Sequence, residues 1–336
     1  MKTKAKKYIA ILTSFIVLLP LFLFPGCTPY AEPINKIGYF FNTFVSITFY
    51  NDADAKYFED CENLCRKYEN LLSRTVEGSD IYRINNAGGE PVTIDDETAE
   101  LLQIALSFCE KTDGAVDITV APLMDAWNFS GEETDKIPPS EAEIYQLLSH
   151  VNYKNITLDG NTVTLSDPEA AIDLGFIAKG YIADRLKEFL VEKGVKSAII
   201  NLGGNIQLIG SKPDGGDYLI GIKKPFSDAG KEETLTTLSL SDISSVSSGI
   251  YERCFTYDGT LYHHILDPKT GYPVNNDLYQ VTILCKDSVY ADALSTTLML
   301  LGKEEGLRFL ENEDFEAHAA FVNNKNELSF SPDFPE

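Results

Sequence analysis

The chain of 336 residues is 44% hydrophobic and 24% charged, with 23 Gly, 15 Pro and 6 Cys, which excludes a disordered tail, a collagen-like rod and a disulfide-stapled miniprotein. Its length allows one large or two ordinary domains, with enough chain to bury a core that needs no staple. The 28 Lys and Arg against 51 Asp and Glu give a net charge of −23, and a surface this acidic repels phosphate backbones, so no nucleic-acid partner is expected.

Lys2, Lys4, Lys6 and Lys7 precede an uncharged run from Tyr8 to Phe24, and Gly26 and Cys27 follow it. A cationic start, an apolar run and a small residue predict a secretory signal over residues 1–26. The run is short for a membrane span, and Pro20 interrupts it. Phe24-Pro25-Gly26-Cys27 resembles the bacterial lipobox, in which the chain is cut just before a cysteine that is then acylated. Lipidation of Cys27 is therefore expected, with an uncleaved anchor as the alternative; either puts the following residues on the extracytoplasmic face of the membrane. Losing the signal removes four lysines and no acid, so 28 basic groups become 24 against 51 acidic, a net −27. Five further cysteines remain, Cys61, Cys65, Cys109, Cys254 and Cys285. An odd number argues against a disulfide framework, and no histidine or second cysteine pair stands at ligand spacing from Cys61 and Cys65, so small core residues are expected.

Residues 27–36 read as the lipidated terminus and a polar tether, and 37–331 as the folded domain. Alternation over 43–50 predicts a strand, and helical periodicity follows over 53–72 and 96–111. Ser140 with Glu143 makes a capping box for a short helix ending near His150. Two brief strands flank the Asp159-Gly160 turn, a helix over 177–192 is closed by Gly194, and 197–202 is a buried strand. From 218 to 284 short strands and turns alternate, and helices over 288–301 and 303–310 precede two closing strands. Helices and hairpins mix without a regular βαβ rhythm, so the expected class is α+β, a single domain of antiparallel sheets with packed helices.

No nucleophile elbow, Walker loop, dinucleotide glycine fingerprint or zinc-protease helix occurs. Three dense segments remain. In 170–181 an apolar strand is expected to run into Asp173, turn through Gly175 and open a helix near Ile177. Unpaired N–H groups at such a start can donate to an anion. Asp173 there is either a ligand acceptor or an N-cap, and Lys179 either a phosphate contact or a solvated lysine. In 288–301, Asp292 and Thr296 are spaced i,i+4, hence on one face. A carboxylate and a hydroxyl form a hard-oxygen pair suited to Mg²⁺, although an acid in a first turn also simply complements the helix dipole. In 262–273, His263 and His264 enter turns at Asp267-Pro268 and Gly271-Tyr272-Pro273. Adjacent strand residues face opposite ways, so at most one histidine serves a given site, as an acid or base beside a carboxylate.

Together with Gly114-Ala115-Val116-Asp117-Ile118-Thr119-Val120-Ala121-Pro122-Leu123, Asn201-Leu202-Gly203-Gly204-Asn205 and Ser247-Ser248-Gly249-Ile250-Tyr251-Glu252-Arg253, these segments resemble, in order, the ApbE family of FAD:protein FMN transferases from about Phe41 to Leu301. The resemblance implies FAD contacts at Phe41, where the family's Met-Gly-Thr reads Phe41-Asn42-Thr43, and at Thr75, where the family has an aromatic. It implies further FAD contacts at Ala115, Val116, Asp117, Asp173, Lys179 and His263. Mg²⁺ is implied on Asp292, Thr296 and the Phe176 carbonyl, and His264 or Asp267 as the base. The implied reaction moves FMN from FAD to a Thr or Ser hydroxyl of an extracytoplasmic redox protein and releases AMP. A FAD pyrophosphatase and a non-catalytic FAD-binding lipoprotein are the competing expectations.

Overall fold

Apolar alternation starts earlier than the tether reading allows, because β1 (Ile34–Phe40) opens three residues inside it and pairs antiparallel with β2 (Thr43–Phe49). Val45, Ile47 and Phe49 of β2 are buried while Phe44, Ser46 and Thr48 turn to the other face, the period-2 pattern expected of a half-buried strand. A computed structural model describes residues 32–129, 136–227, 231, 233–313 and 315–335, so the expected signal and Cys27 lie outside the described residues. The chain from Ala31 onward forms one unit.

The helix expected from 53 divides: Asn51 accepts from the Ala53 N–H and opens a 3-10 segment, Asp52–Tyr57, before α1 (Phe58–Leu72). α1 buries Cys61, Cys65, Tyr68 and Leu72, one stripe at three- and four-residue steps. Next come α2 (Asp80–Asn85), β3 (Val92–Thr93) and α3 (Asp96–Lys111), whose N-cap Asp95 accepts from Glu97. α4 (Ala121–Trp127) has Pro122 in its first turn and ends on left-handed Asn128; α5 (Glu141–Leu148) is capped by Ser140, which accepts from the Glu143 N–H as its box predicts. β4 (Ile156–Asp159) and β5 (Thr162–Leu165) form the expected hairpin, with Gly160 at positive φ, and a three-stranded sheet in the order β3-β5-β4.

The remainder is α6 (Ala178–Glu192), β6 (Ala198–Leu202), β7 (Asn205–Ile209), β8 (Tyr218–Lys223), β9 (Thr234–Leu240), β10 (Ser244–Gly249), β11 (Cys254–Tyr257), β12 (Thr260–His263), β13 (Leu278–Cys285), α7 (Ser288–Leu301), α8 (Lys303–Asn312), β14 (Ala317–Asn323) and β15 (Leu328–Phe330). Eight strands form one antiparallel sheet in the order β1-β2-β6-β7-β10-β13-β14-β15, confirming the α+β class. One face carries the helices and the main core; the other is covered at its middle by the β8–β9 hairpin through Tyr218, Ile220, Ile222, Leu238 and Leu240. A third core gathers around Trp127, between α4, α5 and the β11–β12 hairpin. α7 is buried nearly all round, as its apolar and small residues require. Cys61, Cys65, Cys109, Cys254 and Cys285 are free thiols, and burial pushes the first three up to about 12, which makes them inert packing residues.

Candidate active site

The site begins where α6 crosses α7. Asp184 on α6 accepts from the Ser288 and Val289 N–H groups, both at 2.8 Å, and so ties down the start of α7. One turn earlier Gly180 lets the helices touch: a Cβ there would collide with the Ser288 carbonyl and lie 2.7 Å from the Asp292 Cβ. The Gly180 N–H donates to Asp292 Oδ2 at 2.8 Å. In a regular helix that N–H would donate to the Phe176 carbonyl; α6 starts only at Ala178, which leaves the Phe176 oxygen outside the helical ladder.

Asp292 is buried, and desolvation pushes its carboxyl above the usual range, opposed by Lys179 and by the Gly180 N–H. Lys179 Nζ stands 3.4 Å from Oδ1 and donates to the Gly175 carbonyl at 3.2 Å, so it is a paired cation rather than a solvated one. Thr296, one turn below Asp292, lies 3.1 Å from Ser248 Oγ, which is 2.7 Å from Ser295 Oγ. Asn205 accepts from Ser288 Oγ at 2.8 Å, and its side-chain amide also favours the ionised Asp292 carboxylate. A buried carboxylate with one oxygen facing a cation, a hydroxyl one turn away and a carbonyl freed from its helix form a hard-oxygen set. That chemistry fits Mg²⁺, which takes few protein donors and leaves positions for phosphate and water. Among the described residues no group of three or more His, Cys, Asp or Glu forms an all-side-chain metal cage.

The chain before α6 differs from expectation. Its strand reduces to one bridge between Ala171 and Val120, and Asp173 is not the N-cap, a place taken by Ile177 without a side-chain bond. Asp173 instead folds back on the Gly175 N–H at 2.6 Å and pairs with Arg74 Nε at 2.8 Å; Arg74 also holds Asp125 at 2.7 Å. Neighbouring Thr75 is exposed, with its hydroxyl 3.1 Å from that of Ser73. Phe41 lies at the β1–β2 turn with positive φ, and its N–H donates to Glu69. Of the 115–117 stretch, Ala115 is half-buried and Val116 is in the core. The Asp117 carboxylate is committed to the fold, accepting from Thr119 N–H and Oγ and from the Tyr153 N–H. An open cavity of about 380 Å³ lies beside Gly114, Asp117 and Lys154 and reaches Pro268 and Lys269, but not Lys179, Asp292 or His264.

The two histidines part as strand geometry requires. His263 is buried, with Nε2 3.1 Å from the Val274 carbonyl, and desolvation lowers it to about 4. His264 is half-buried; its Nδ1 is 3.3 Å from the Arg253 carbonyl. Desolvation, then the charge of Arg253, and further down that of Lys179 lower it to about 3. A carbonyl only accepts, so Nδ1 carries the proton and Nε2 presents a lone pair. Asp267 is bound up in its own turn, accepting from the Lys269 N–H at 2.9 Å and Thr270 Oγ at 3.0 Å. Sequence reasoning passed over Glu252, which keeps solvent access yet is enclosed enough for desolvation to push it up to about 7, against the pull of Lys179 and Arg253. It also passed over Arg74 and Gly180; no local spacing marks any of the three, and only their surroundings identify them.

Fold and site together define an α+β domain with a buried carboxylate, paired with a lysine, at the crossing of two helices. The ApbE family model matches residues 41–321. A FAD:protein FMN transferase of Klebsiella pneumoniae is 38% identical over 274 residues, 80% of this chain and 82% of that protein, and one of Vibrio cholerae is 31% identical over 301 residues, 88% and 90%. The crystal structure of the ApbE protein of Thermotoga maritima superposes with a TM-score of 0.80 at 31% identity, covering 90% of this chain and 97% of that one. The chain belongs to the ApbE family.

Proposed function

We propose that the protein is a Mg²⁺-dependent transferase that moves FMN from FAD to a Thr or Ser hydroxyl of an extracytoplasmic acceptor flavoprotein and releases AMP. The carrying observation is the buried Asp292 carboxylate, held by the Gly180 N–H on one oxygen and faced by Lys179 on the other. The name shared by the Klebsiella and Vibrio relatives, FAD:protein FMN transferase, supplies donor and product. In this reaction the acceptor oxygen bonds to the FMN-side phosphorus, the phosphoanhydride bond to AMP breaks, and the hydroxyl proton passes to His264 Nε2. Such transfer depends on in-line positioning and charge neutralisation more than on covalent help. Asp292, Thr296 and the Phe176 carbonyl are the residues to hold Mg²⁺, which when bound neutralises pyrophosphate charge. Lys179 binds a phosphate oxygen, and the Arg74–Asp173 pair fixes the turn that carries it.

The same proposal anchors the chain through an acylated Cys27; it rests on the sequence of residues 1–27. Among the described residues no helix is long and apolar enough to cross a membrane. The test is mass spectrometry of a Thr-containing acceptor incubated with enzyme, FAD and Mg²⁺. An FMN adduct matched mole for mole by AMP is expected. AMP and FMN released at the same rate without acceptor would make the protein a pyrophosphatase, and FAD bound without AMP a carrier.

A further inference from the structure

We propose that the outer face of the β1–β2 hairpin is the surface with which the protein lies on the lipid bilayer. This rests on the anchoring of Cys27 proposed above. On that face Ile37 and Tyr39 of β1 are each 60% exposed and Phe44 of β2 is 69% exposed; Tyr39 sits opposite Phe44 in the register, with rings 5.5 Å apart and edge to face. The other outward positions are Asn35, Ser46 and Thr48. None of these six is charged, in a chain with 51 acidic residues. On the inner sides of the same strands Phe40, Val45, Ile47 and Phe49 belong to the main core, and the β8–β9 hairpin that covers the middle of the outer face gathers its core from Leu208, Leu284, Ala320 and Val322, on β7, β13 and β14. The strand twist of about 20–25° per neighbour turns an edge pair away from a sheet's covered centre.

Chain length supplies the occupant. Six residues lie between Cys27 and Ile34, seven Cα-to-Cα steps, so even fully extended the linkage spans at most about 25 Å. A lipid on Cys27 therefore keeps the start of β1 beside the headgroups, and the first outward-facing apolar side chains along it are Ile37 and Tyr39, Ile34 being on the inner face opposite Phe49. Aromatic rings with one polar end favour that interface, and a face without acid is the part of a −27 body that meets lipid without repulsion. The diacylated thiol of a lipobox cysteine holds the chain at the membrane, and an apolar face beside it adds a second contact that sets how the body lies on the bilayer.

The full-length acylated protein, reconstituted in phosphatidylcholine vesicles, tests this with Phe44→Trp and with Val191→Trp, a half-exposed site on α6 behind the opposite face. The constant signal of buried Trp127 is subtracted using the parent protein. Brominated acyl chains are expected to quench Phe44→Trp at least about twofold and Val191→Trp hardly at all, and adding Ile37→Ser and Tyr39→Ser to Phe44→Trp should abolish the difference. Equal, weak quenching of both with the acyl mass present on Cys27 overturns the docking and leaves the anchor standing. A mature chain without the acyl mass overturns both. A concentration-dependent blue shift of Phe44→Trp without bromine quenching assigns the face to a second copy and overturns the proposal.

Discussion

The Gly180 N–H donates to the Asp292 carboxylate across 112 residues of sequence, at a point where no side chain fits between α6 and α7. In an exposed helix interior, Gly→Ala stabilises by about 0.8–1 kcal/mol. Here the added methyl meets the Ser288 carbonyl and the Asp292 Cβ, neither of which is a flexible side-chain end. Gly180→Ala is therefore expected to reverse the sign, costing about 1–3 kcal/mol in urea unfolding, and to lower FMN transfer by displacing Asp292. An unchanged or raised midpoint would mean that the helices have room.

Asp292→Asn keeps an oxygen for the Gly180 N–H and removes a buried charge whose ionisation desolvation opposes. The variant should melt at the same temperature as the parent or higher, while transfer falls at least about a hundredfold. Thermal melts with and without Mg²⁺ check this: the parent should gain stability with Mg²⁺ and the variant should not.

Much of this site was legible because its rules are local. Asp292 and Thr296 share a face by helix periodicity alone, His263 and His264 part by strand alternation, and Ser140 caps α5 by a three-residue rule. What was hidden depends on partners far along the chain. Asp173 reads as either a ligand acceptor or an N-cap, and its pairing with Arg74 is not visible in the sequence; nor is the Tyr153 N–H that Asp117 accepts from. β1 was obscured because Pro33 and Lys36 resemble a tether, and its hydrophobic side becomes meaningful only when paired with β2.

The family resemblance puts His264 first as the base with Asp267 as the alternative, and the two differ in their bonding. His264 presents Nε2, so His264→Gln should reduce transfer by about 10²–10⁴ with folding intact. Asp267→Ala removes two turn bonds worth about 1–2 kcal/mol together and should change the rate less than about tenfold. Steady-state rates beside urea midpoints for the two variants check the ranking; the reverse order would move the base to Asp267.

His263 provides a test in pH. Burial lowers it to about 4 in the folded chain, against about 6.5 when unfolded. Between these values the unfolded chain binds the extra proton, so the stability contributed by neutral His263 is complete above pH 6.5 and is lost as pH falls toward 4. The buried carboxyls Asp184, held up at about 6, and Asp292 act in the opposite sense, losing stability as pH rises, so the parent's own profile mixes the two. Subtracting the profile of His263→Gln isolates the histidine. Urea unfolding at pH 7.5 and 5.0 should show the parent losing on the order of 2 kcal/mol more than the variant over that interval. Parallel profiles would mean that His263 takes up its proton in the folded protein as readily as in the unfolded chain.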